Sequence, residues 1–217
     1  VVCGGGPAWG WTILGEPRGV LRIGMAGSEW VEAERQERAA PFAVGRGVLA
    51  DMRSALEWGQ GREGARGTLG SGWVVSLSYK LGEVIEPAAR GKRGPDSRPL
   101  IEMRRIEEPV VFDHGRGVWS GSAAMNVERS GFSGAAASRG FRIGELRSEM
   151  GQERYEAAVA RGVEYIRAGD VYQVNLAHRL VGSFSGSTRE AFAALVESAR
   201  PWHGAYLESA GCGVLGA

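Results

Sequence analysis

Three histidines, two cysteines, a G-x-G-x-x-G string and two amides on a strand-like run are the residues of this chain whose types and spacing suggest chemistry. His114, His178 and His203 could ligate a metal or move protons. No two of them fall within a helical turn of each other or beside a cysteine, so turn, surface or core roles fit their spacing better. Cys3 and Cys212 stand at opposite ends. That is too few and too distant for a zinc knuckle or a disulfide framework, and both read as reduced thiols. Gly59-Gln60-Gly61-Arg62-Glu63-Gly64 spells the dinucleotide fingerprint. The fingerprint works only where a strand precedes it and a helix N-terminus follows, because backbone N–H groups must meet a pyrophosphate; here a helical pattern precedes and more glycine follows. Ser120-Gly121-Ser122 lacks the strand-to-helix context of a nucleophile elbow. Glu153, Arg154, Arg161 and Glu164 read as the solvated face of a helix. Gln173 and Asn175 share the polar side of an apolar run, where they either face solvent or serve as buried donors and acceptors for backbone or a ligand.

The elements that must position these residues change character along the chain. Trp11–Leu14, Val20–Ile23 and Glu29–Glu32 are β-type runs punctuated by Gly and Pro, the pattern of an antiparallel sheet. Between about Val44 and Trp58, Val44, Val48, Leu49, Met52, Ala55 and Leu56 recur at helical spacing. Gly72–Tyr79 reads as a strand buried on at least one face, and Pro109–Asp113 with Gly117–Ser120 as a hairpin around His114-Gly115-Arg116. Residues 1–121 form an N-terminal α+β domain whose start is missing, 122–147 a Ser/Gly/Ala-rich linker, and 148–217 the beginning of a further domain. In that third segment Tyr155, Val159, Val163 and Ile166 share one helical face, and Gly169 marks a left-handed stop. Val171–Ala177 alternates as a half-buried strand. Ser187 and Glu190 have capping-box spacing for a helix to about Ser198 that buries Phe192, Leu195 and Val196. Gly204–Glu208 and Cys212–Leu215 complete a hairpin.

Composition bounds the function. The 217 residues include 35 glycines, roughly twice the usual share of about 7% and without a collagen period. Twenty-six basic and 25 acidic residues give a net charge of +1 with the signs interspersed. Nothing in that distribution favours nucleic acid or a polybasic membrane anchor. No apolar run approaches the roughly 18 residues of a span, and VVCGGGPAWGW lacks a signal peptide's charged start. The expectation is a cytoplasmic protein. A start at Val1 and an uncharged end at GCGVLGA read as the ends of a fragment.

Tyr155–Leu176, YEAAVARGVEYIRAGDVYQVNL, resembles the segment that opens the chorismate-binding domain of component I of aminodeoxychorismate synthase and anthranilate synthase. RPWHGAYLE resembles the strand after the family's next helix; WTILGEP, GWVVSLSYKLG with its following EP, and VVFDH resemble markers of its N-terminal domain. The resemblance implies an α+β fold of antiparallel sheets packed face to face with flanking helices, incomplete in this chain. It also implies chorismate as substrate, Mg²⁺ in the full-length enzyme, and ammonia from a glutamine amidotransferase partner. Chorismate carries two carboxylates, so a metal and positive groups must neutralise it while a ring hydroxyl departs. In the family the S-P-E segment, the lysine of P-I-K-G-T or its replacement, the catalytic histidine and the Mg²⁺-binding glutamates follow the strand at which this sequence stops. No catalytic or metal-binding residue is therefore expected before Ala217.

A second pocket does carry over. Many members hold tryptophan between N-terminal strands and the strand resembling RPWHGAYLE, which by register implicates Pro7, Ala8, Trp9, Gly10, Trp202, His203 and Gly204. The family's L-L-x-S stretch would precede Val1, and Trp202 stands where members commonly have proline. An indole there could fill the pocket itself, so retention and loss of tryptophan binding are both open. Tyr172-Gln173-Val174-Asn175-Leu176 looks more like the aminodeoxychorismate branch, which serves para-aminobenzoate and folate synthesis. The alternatives are anthranilate synthase component I and a non-catalytic module for tryptophan binding or amidotransferase docking.

Overall fold

The structure, a computed structural model, describes residues 2–5, 10–32, 40–59, 70–89, 98–121, 140–209 and 212–216. Its contacts divide the chain into two compact units, Val1–Ser133 with Ser198–Ala217, and Gly134–Glu197. The architecture is α+β with antiparallel sheets.

In the first unit, β1 (Val2–Gly5), β2 (Trp11–Leu14), β7 (Val110–Asp113), β8 (Val118–Ser120), β13 (His203–Ser209) and β14 (Cys212–Gly216) form a six-stranded sheet. Its order is β14-β13-β1-β2-β7-β8. A second sheet, ordered β4-β3-β6-β5, comprises β3 (Pro17–Gly24), β4 (Gly27–Glu32), β5 (Gly72–Leu77) and β6 (Ile101–Ile106). Helix α1 (Val48–Trp58) lies on this sheet. Leu21, Ile23, Ile101 and Met103 from the strands and Ala55 from the helix make a closed core. Burial of such side chains contributes about 1.5–3 kcal/mol each before the cost of ordering them. Trp30, Phe42, Trp58 and Trp73 pack ring to ring at one side of this core, with centroids 5.5–6.5 Å apart. The Arg105 guanidinium lies over Trp58 and Trp73. On the other face of β6, Glu102 pairs with Arg22 and Arg104.

The helix expected from about Val44 begins at Val48, because Gly45 and Gly47 take φ values of 89° and 117°, outside helical space. Asp51 secures that entry. Its buried carboxylate accepts from Ser28 Oγ and from the Gly45 and Arg46 N–H groups. β5 stops at Leu77, where Ser78 caps a single 3₁₀ turn, Tyr79–Leu81, leading into α2 (Gly82–Ile85).

In the second unit, β9 (Phe141–Ile143) pairs with β12 (Phe184–Gly186), and β10 (Arg147–Ser148) with β11 (Leu180–Val181). Helix α3 (Gln152–Ala168) ends as expected: Gly169 has φ 80°, its N–H bonds Ile166 O, and Asp170 N–H bonds Tyr165 O. These two bonds are a Schellman motif. Three local expectations are corrected. Val171–Ala177 is not a strand; among the described residues nothing pairs with it, and an extended segment without a ladder partner stays irregular. The capping box at α4 (Thr188–Ala199) is half formed: Ser187 Oγ accepts from Glu190 N–H at 3.3 Å. The Glu190 carboxylate instead takes the Gly140 N–H, because Ser187 N–H is already bonded to Gly140 O at 3.0 Å. Phe192 and Leu195 are half-buried, but Val196 is exposed.

Candidate ligand pocket at the end of the six-stranded sheet

Strand register brings distant parts of the sequence into one row. β1 pairs with β13 through Gly4↔Gly204 and Gly5↔His203, and with β2 through Gly4↔Thr12. Thr12 stands opposite Phe112 on β7, and Phe112 opposite Trp119 on β8. Paired residues point to the same face, so the row reads Gly204, Gly4, Thr12, Phe112, Trp119. The two glycines put no side chain on this row across two neighbouring strands, a width of roughly 10 Å. Two residues further along these strands, Tyr206 and Val110 are buried.

One wall is aromatic and hydrogen-bonded. Phe112 packs edge-on against His114 and at an angle to Trp119, both at 4.9 Å between centroids. His114 donates its backbone N–H to Gly10 O at 2.7 Å, and its Nε2 lies 2.8 Å from Thr12 Oγ1. Asp113 fixes the turn that carries His114: its carboxylate accepts from Gly115 and Arg116 N–H, and its carbonyl from Gly117 N–H. Gly10 has φ 72°, a left-handed conformation that a side chain would strain. A bare floor beside aromatic edges and a few fixed polar groups suits a small, flat, partly apolar ligand.

Of the residues singled out from sequence, Pro7, Ala8 and Trp9 lie outside the described residues. Gly10 sits against His114, and Gly204 is part of the floor. His203 opens β13 opposite Gly5 and is exposed. Trp202 is 73% exposed. Thr12, Phe112, His114 and Trp119 were not assigned to the pocket, although the two-residue spacing of Phe112 and His114 already put them on one face of a strand. Gln173 and Asn175 are exposed, with Gln173 Nε2 donating to Asn175 Oδ1 at 3.3 Å. His178 packs edge-on against Tyr155. Among the described residues no group of three or more His, Cys, Asp or Glu could hold a metal ion. No helix among them is long and apolar enough to cross a membrane.

The profile of the chorismate binding enzymes matches residues 22–217, most of the chain. The chain belongs to this family. Anthranilate synthase component 1 of Saccharolobus solfataricus is 23% identical over 146 residues, which are 67% of this chain and 32% of that protein. The crystal structure of anthranilate synthase component I from Streptococcus pneumoniae TIGR4 superposes with a TM-score of 0.64 at 13% identity. It covers 90% of this chain and 47% of that one, and establishes the likeness of fold. The chain thus spans about a third of the curated relative's length and about half of the solved one's. Within this chorismate-binding scaffold, the glycine row joins strands from the two ends of the chain, β1 and β13, in the same sheet as the His114 wall.

Proposed function

We propose that the chain is a portion of component I of an aminodeoxychorismate synthase, which aminates chorismate to 4-amino-4-deoxychorismate for para-aminobenzoate and folate synthesis with ammonia from a glutamine amidotransferase. The observation that carries the chorismate part is the family match over residues 22–217. The branch rests on Tyr172-Gln173-Val174-Asn175-Leu176, whose resemblance is to the aminodeoxychorismate enzymes. Anthranilate synthase component I is the second reading, favoured by the two relatives named above.

This chain's own residues contribute scaffold and a binding pocket. The described residues offer no group of three or more His, Cys, Asp or Glu side chains that could hold Mg²⁺. The glycine floor is proposed to take an aromatic amino acid, tryptophan first, with Thr12 and His114 at its polar edge. In favour of retained binding, Trp202 is largely exposed rather than buried against the sheet. The purified 217-residue chain is proposed not to turn over chorismate with Mg²⁺ and ammonia, which a direct assay of the purified chain tests.

The product is tested in extracts of the source cells. Immunodepletion with antibody to this chain should remove formation of 4-amino-4-deoxychorismate from chorismate and glutamine and spare anthranilate. Loss of anthranilate alone would select the second reading, and loss of neither would sink both. Calorimetric titration of the purified chain with tryptophan tests the pocket separately.

A further inference from the structure

We draw no further inference here: the strongest candidate, the exposed apolar patch of Met25, Leu77, Tyr79 and Ile85 at one end of the four-stranded sheet, carries nothing because nothing in the structure shows what covers it.

Discussion

Replacing Asp51 with alanine removes three hydrogen bonds from a side chain that is 1% exposed. Ser28 Oγ donates to Oδ2 at 2.5 Å, Gly45 N–H to Oδ2 at 2.8 Å and Arg46 N–H to Oδ1 at 2.9 Å. Hydrogen bonds to a charged group are worth about 1.5–3 kcal/mol each, yet Gly45 and Arg46 are exposed and water can take over their N–H groups. Ser28 is half-buried and loses more. The expected net cost at pH 7 is about 2–3 kcal/mol for Asp51→Ala, and about 1 kcal/mol for Asp51→Asn, which keeps one acceptor oxygen. The pH dependence has a fixed sign. Burial pushes the Asp51 carboxyl up, but the Ser28 hydroxyl, the Gly45 and Arg46 N–H groups and the Arg46 charge together hold it below the ordinary carboxylate value. A depressed native pKa stabilises above the unfolded value of about 3.9 and is lost as pH falls through the native value. Urea titration followed by tryptophan fluorescence reports directly, since Trp30, Trp58 and Trp73 surround the core that α1 closes. Asp51→Ala should lower the midpoint with unchanged slope, and its deficit relative to wild type should shrink below about pH 4. A deficit under about 0.5 kcal/mol at pH 7, or one that does not narrow in acid, would refute the assignment.

Gly204→Val places a branched side chain on the floor and should weaken tryptophan binding by calorimetry at least roughly tenfold while leaving the melt cooperative. Gly162→Leu should drive Val174 off α3, seen as faster proteolysis within residues 171–177 with helical circular dichroism retained. Arg200, a non-glycine residue at φ 44° directly before Pro201, carries backbone strain, so Arg200→Gly should stabilise by about 0.5–1 kcal/mol in urea titration. Glu190→Ala should expose Gly140 N–H and destabilise the β9–β12 pair, read as faster amide exchange in residues 141–143.

Much of the local architecture is legible in the sequence because it is locally encoded. Trp11–Leu14 and Val110–Phe112 are short runs rich in β-branched and aromatic residues bounded by Gly or Pro, and both are strands. Gly169 sits where only a left-handed residue ends the preceding helix, and its φ agrees. What escapes is nonlocal. Gly4 and Gly204 become one floor only through the β1–β13 register, which no local pattern states. Val171–Ala177 has a strand's alternation, but a strand is a relation between two segments, and among the described residues nothing pairs with it. Glu190 matches a capping box, yet a stronger geometric claim from Gly140 wins it. The role of Asp51 is likewise nonlocal, since it exists only once Ser28 and the Gly45-Arg46 backbone are folded around it.

The growth requirement left by disrupting the gene for this chain is the most direct test of the chorismate reading. Cells should require para-aminobenzoate, and supplying it alone should restore growth. Unimpaired growth without para-aminobenzoate or tryptophan would contradict it.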